Sequence, residues 1–119
     1  MKRGLIFLFV LIVSFPAFAH PPKKITLNAD PNTKTLKINV VHPVKDTEAH
    51  FISKIQILLN GQEVETLNYT KQTSAAAEIV VYTLDEMKEG DKIEVVANCN
   101  KAGQKKASVV VKKYYNQSK

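Results

Sequence analysis

The chain has 119 residues, with 17 basic against 11 acidic side chains, 45% hydrophobic residues, one cysteine and no tryptophan. This is enough for one modest domain with a single core, and one cysteine excludes an internal disulfide. No arginine follows Arg3 and the lysines are dispersed, which sets aside a nucleic-acid reader with clustered Arg/Lys and stacking aromatics.

The first element is a targeting segment. Met1-Lys2-Arg3 is a short basic start, and residues 4–15, GLIFLFVLIVSF, form an apolar run shorter than the roughly 20 residues needed to cross a hydrocarbon core. Ala17 and Ala19 then supply the small-x-small pattern of a signal-peptidase site. Residues 1–19 are therefore expected to be a cleaved signal peptide, with no membrane attachment afterwards. An uncleaved anchor is the alternative, disfavoured by the run's length and the placed alanines. No cysteine follows the run, which argues against a lipoprotein anchor, and the layout is of bacterial type. The expected location is the periplasm or the exterior. The mature chain of 100 residues begins His20-Pro21-Pro22, with fifteen lysines facing eleven acids. Those lysines form a solvated surface with some attraction for small anions.

Seven stretches of apolar alternation follow, separated by turn signals. KITLNA (24–29) leads to Asp30-Pro31-Asn32, a turn. TLKINVVH (35–42) sets Leu36, Ile38 and Val40 on one face. ISKIQILLN (52–60) does the same with Ile55, Ile57 and Leu59, and it ends at Asn60-Gly61, a strong hairpin signal because both positions tolerate positive φ. QEVETLNY (62–69) is the return strand. AAEIVVYTL (76–84), DKIEVVANC (91–99) and ASVVVKK (107–113) complete the set, while LDEMKEG is a turn at most. Seven short strands with turns about every ten residues predict an all-β, seven-stranded immunoglobulin-like β-sandwich. One domain over 20–113 is expected, with 114–119 a frayed tail.

The chemistry-bearing residues fall at strand ends. His42 closes the second strand and is held extended by Pro43. His50 opens the third, and Cys99 closes the sixth, which in this topology runs antiparallel beside the third. His20 begins the mature chain. In an oxidising compartment a lone thiol calls for burial, another chain or a metal. Three imidazoles and one thiol at one rim make His20, His42, His50 and Cys99 candidate metal ligands. The bland alternative stays open: strand-end histidines are commonly solvated, and Cys99 shares parity with Ile93, Val95 and Ala97, so it also continues a buried face.

HPVKDTEAHFISKI together with ANCNKAG resembles the iron domain of superoxide reductases, the desulfoferrodoxin and neelaredoxin family. That family shows an HP…H-aromatic-I segment, a late CN-x-HG and an early histidine beside a proline. The resemblance spans the mature chain. It implies a seven-stranded sandwich and a mononuclear non-haem iron centre that reduces superoxide, or deals with another small anion, at the expense of an electron-donor protein. His20 matches the early ligand, His42 and His50 the HP…H pair, and Cys99 the axial thiolate. Two departures stand out. The histidine expected after Cys-Asn is Ala102, and the spacer between His42 and His50 is about two residues longer than in the family. The family's anion-attracting lysine lies before the early histidine. Nothing precedes His20 in the mature chain, which leaves Lys23 and Lys24 as the nearest candidates.

Cleavage after Ala19 would also give His20 a free α-amine, with an unperturbed pKa of about 7.7–8.0 that makes deprotonation for metal binding cheap. Amine and imidazole together would then restore a fifth donor. The same chelate suits copper, the alternative metal, which outcompetes iron for nitrogen donors. A blue-copper carrier fits poorly, because no His or Met follows Cys99.

HPVKDTEAHFISKIQILLNGQEV and GDKIEVVANCNKAG are also similar to the small immunoglobulin-like subunit that partners a sulfur-carrier protein in periplasmic thiosulfate oxidation. This resemblance implies a non-catalytic binding role, with His42 and His50 shaping an interface. Other chemistry is poorly supported. Asp85-Glu86 is a solvated pair on a turn, the four glycines are isolated, and no serine sits in a nucleophile elbow.

Overall fold

The computed structural model describes residues 21–113. The expected signal peptide, His20 and the expected tail lie outside these residues. Seven strands form: β1 (Lys24–Asp30), β2 (Thr35–Val41), β3 (Ile52–Leu59), β4 (Gln62–Asn68), β5 (Ala77–Thr83), β6 (Lys92–Cys99) and β7 (Gln104–Val110). They make two antiparallel sheets, three-stranded β1-β2-β5 and four-stranded β4-β3-β6-β7. This is the all-β, immunoglobulin-like sandwich that the alternation predicts.

The alternation decides what is inside. Leu36, Ile38 and Val40 of β2, Ile55 and Ile57 of β3, and Ile93, Val95 and Ala97 of β6 are fully buried between the sheets. Each large aliphatic side chain taken from water contributes about 1.5–3 kcal/mol. Leu84, Met87 and Val111 close the end of the core away from the histidines. At that end Asn60 (φ 51°) and Gly61 (φ 85°) make the tight turn joining β3 to β4, as the dipeptide predicts. Asp30 accepts at Oδ1 from the Asn32 N–H (2.9 Å) and so fixes the β1–β2 turn.

Strict alternation is broken in several places, among them a register shift between β3 and β4 that leaves Val64 unpaired and exposed. β7 starts at Gln104, three residues earlier than the apolar pattern suggests, and Val111–Lys113 leave the sheet. The cause is Gly103 (φ 94°), which turns the chain straight back so that Asn98 pairs with Gln104. Residues 104–106 of this edge strand are exposed polar side chains and carry no hydrophobic alternation. A further departure is a bulge in β3 at Ser53, between the Ile52–Cys99 and Lys54–Asn98 pairs. It resets the side-chain parity, so that Ile52 and Ile55 both point inward although three residues apart.

Antiparallel pairing sends the end of β2, the start of β3, the start of β5 and the end of β6 to one rim of the sandwich. Lys24 at the start of β1 stands opposite Val41 there.

Candidate metal centre

His42 follows β2 directly. Its N–H donates to the Ala76 carbonyl (3.0 Å), and two residues on the Val44 N–H donates to that of Ala75 (2.8 Å). The side chain is turned inward and only 2% exposed. Residues 46–50 then form one turn, in which Asp46 Oδ1 accepts from the Glu48 N–H (2.9 Å) and the His50 N–H donates to the Asp46 carbonyl (2.9 Å). The longer spacer is thus taken up in a turn and does not part the imidazoles. The two rings meet edge to face, with centroids 4.7 Å apart and planes at 87°.

Cys99 arrives from the opposite direction on β6. The residue is 8% exposed, and its thiol stands 3.0 Å from His50 Nε2. Cys99 continues the buried face of β6, and it reaches His50 because β6 ends where β3 begins. Asn100 fastens the juxtaposition. Its Oδ1 accepts from the Phe51 N–H (2.9 Å), its Nδ2 donates to the Ala49 carbonyl (3.1 Å), and its own N–H donates to the Phe51 carbonyl (3.0 Å). His50 is therefore held on both sides by the residue next to Cys99.

The donor atoms of His42, His50 and Cys99 all lie within 4.8 Å of one another, close enough for one ion. Donors on one ion at about 2.1 Å for nitrogen and about 2.3 Å for sulfur stand about 3.1 Å apart at a right angle and about 3.6 Å apart at a tetrahedral one. The 3.0 Å between His50 Nε2 and Cys99 Sγ is close to the spacing of two donors on one ion. Imidazole and thiolate donors suit iron, copper or zinc rather than magnesium or calcium.

Of the four residues proposed from sequence, the described part of the chain brings three together. His20 lies outside it, and its neighbour Pro21 sits against the turn after Cys99, its Cα 3.0 Å from where a Cβ on Gly103 would stand. Ala102, half-buried in that same turn, has no donor to offer. Beside the centre an open cleft of about 540 Å³ is lined by Pro43, Val44, Ala49 and His50, with Lys45, Lys101 and one carboxylate, Asp46, on its walls. These lysines, rather than the Lys23 and Lys24 suggested by proximity in sequence, face the approach to His50.

Sequence reasoning missed Gln72. It lies in the polar stretch TKQTSAAA between β4 and β5, yet it is 4% exposed and its Oε1 stands 2.7 Å from His42 Nδ1. A glutamine among serines, threonines and alanines carries no local mark of burial, so no signal in the sequence would have found it.

No curated protein matches the chain. Among solved structures, a superoxide reductase (1Fe-SOR) from Giardia intestinalis is similar, with a TM-score of 0.51 and 19% identity over 78% of this chain and 98% of that one. A hypothetical protein from Pyrococcus horikoshii OT3 matches with a TM-score of 0.45 and 17% identity, over 75% of this chain and 84% of its own. At 19% identity the likeness to the Giardia protein is one of fold. The family model for desulfoferrodoxin matches residues 18–108, nearly the whole of the sandwich and all three converging donors. The chain belongs to the desulfoferrodoxin family.

Proposed function

We propose that this is an exported mononuclear iron protein that reduces superoxide, with His20, His42, His50 and Cys99 as the metal's protein ligands. The observation that carries the reading is the convergence of two imidazoles and the lone thiol at one rim of the fold. The family match supports iron over the other metals that such donors accept, and copper remains the competitor to be tested.

Bound iron would supply the single electron that, with two protons, turns superoxide into hydrogen peroxide; an electron-donor protein then restores it. The chain's own contributions follow from its geometry. Cys99, as thiolate, would place negative charge at a buried position and so favour the loss of an electron from the metal. The ring of His42 is buried and that of His50 half-buried, which keeps bulk water from one side while the cleft beside His50 stays open. Lys45 and Lys101 outnumber the one carboxylate of that cleft, Asp46, and a small anion is drawn along it at a rate that falls with ionic strength.

Removal of residues 1–19 would expose the α-amine of His20 as an additional donor, offsetting the histidine that Ala102 replaces. The packing of Pro21 against Gly103 supports this, since it fastens the chain one residue away to the turn that follows Cys99. Adding one residue before His20 should then weaken metal binding sharply, whereas unchanged metal content would exclude the amine.

The deciding experiment is metal analysis of the mature protein beside Cys99→Ser, with a visible spectrum of each oxidised form and competition between iron and copper. A thiolate-to-iron charge-transfer band that vanishes in the variant establishes the class. Co-purification with a sulfur carrier and no bound metal would overturn it in favour of the binding-subunit reading.

A further inference from the structure

We propose that Gln72 is a positioning residue, which holds His42 in the tautomer that presents Nε2 to the metal. The inference rests on the metal reading above and deepens it.

The amide of Gln72 is engaged at every position. Its Nε2 stands 2.7 Å from the His42 carbonyl and 2.9 Å from the Ser74 carbonyl. Carbonyl oxygens only accept, so the amino group must face them. Its Oε1 stands 2.7 Å from His42 Nδ1 and 3.3 Å from the Ile52 N–H, which only donates. The two carbonyls and the one N–H thus settle independently which way round the amide lies. Its oxygen faces Nδ1, and Nδ1 must therefore carry the proton. A neutral imidazole has one N–H, so the lone pair is on Nε2.

The same contacts fix the ring's position as well as its protonation. One amide grips His42 at two points, its backbone carbonyl and its Nδ1, and the backbone N–H of Gln72 donates to the Thr47 carbonyl (3.0 Å). Gln72 so joins the end of β2, the first residue of β3 and the turn that carries His50. Glutamine suits the place better than glutamate, because a carboxylate would set an oxygen against the His42 and Ser74 carbonyls. Groups that orient a ligating histidine through its other nitrogen are typically worth about 10–100-fold in metal affinity.

The test uses the metal-free mature protein and cobalt(II) as probe. Imidazole nitrogen chemical shifts in the wild type should report His42 protonated at Nδ1. In Gln72→Met the Nε2-protonated form should appear and cobalt(II) affinity should fall by about 10–100-fold. Gln72→Glu, which keeps an acceptor toward Nδ1, should return the wild-type tautomer, with the affinity only partly restored because its second oxygen opposes the His42 and Ser74 carbonyls. A wild-type His42 protonated at Nε2 overturns the proposal without any variant, so a misfolded Gln72→Met does not shield it. Gln72→Met with wild-type tautomer and affinity overturns it too. A wild type that binds no cobalt(II) overturns the metal reading and this inference together, whereas cobalt(II) bound equally well by wild type and Gln72→Met sinks the role of Gln72 alone.

Discussion

Removing the side chain of Asn100 separates the part of metal affinity that comes from a pre-built site. Asn100→Ala deletes the hydrogen bonds from the Phe51 N–H and to the Ala49 carbonyl, together with a long 4.0 Å contact from the Cys99 thiol, and leaves the backbone bond to Phe51 in place. A hydrogen bond contributes about 0.5–1.5 kcal/mol net. Asn100 is exposed, so water replaces part of what is lost and the pair totals about 1–1.5 kcal/mol. For a domain of this size that corresponds to a fall in Tm of about 5–10 °C. Both bonds straddle His50, whose loop is then released in the metal-free protein and must be ordered again on binding. The same free energy should reappear as a cobalt(II) Kd about tenfold higher. Asn60→Ala is the control, since Asn60 braces Asp91 and Lys92 at the opposite end of the sandwich. It should lower Tm and leave the Kd unchanged. Titration calorimetry with cobalt(II) and thermal unfolding of the three metal-free proteins would decide. Wild-type affinity in Asn100→Ala, or equal weakening in Asn60→Ala, would refute the reasoning.

Other outcomes follow from the same structure. The Asp91 carboxyl is held below the usual range, first by the Asn60 amide and then by the Lys88 N–H. Its contribution to stability is therefore complete above the unfolded value of about 3.9 and is lost as pH falls through the lower native value. Urea midpoints measured from pH 6 to pH 2 should fall less steeply for Asp91→Asn than for wild type, and parallel curves would count against it. Ile55→Ala empties a fully buried position between the sheets and should cost about 2–5 kcal/mol in denaturant unfolding. Gly103→Ala meets both a positive φ and the backbone of Pro21. It should destabilise by about 1–3 kcal/mol and expose the segment before Lys23 to proteolysis, while a fully protected N-terminal segment would argue against the packing described.

The sandwich and most of the centre were legible because both depend on local pattern. Period-two alternation fixes which side chains of a strand face inward, so Leu36, Ile38 and Val40, or Ile93, Val95 and Ala97, announce a buried face without any knowledge of the partner strand. Asn60-Gly61 announces its hairpin for a similar reason, since few other residues accept positive φ at both positions. Strand ends follow from the same reading. His42, His50 and Cys99 could be assigned to one rim once the sixth strand was set antiparallel to the third.

What the linear pattern does not carry is register and contact across the fold. The bulge at Ser53 arises from pairing with β6, and it is what lets Ile52 stand opposite Cys99 with both inside. The start of β7 is set by the turn at Gly103, where an edge strand of exposed lysines has no reason to alternate. Gln72 enters the site because a loop folds back over the end of β2, and nothing in its neighbours' polarity foretells it. Which residues gather at one rim was therefore written in the sequence by itself. That one thiol stands 3.0 Å from one imidazole, while a distant amide clamps the other, was decided only by tertiary packing, because distances of that kind depend on contacts between residues some 30 to 50 positions apart.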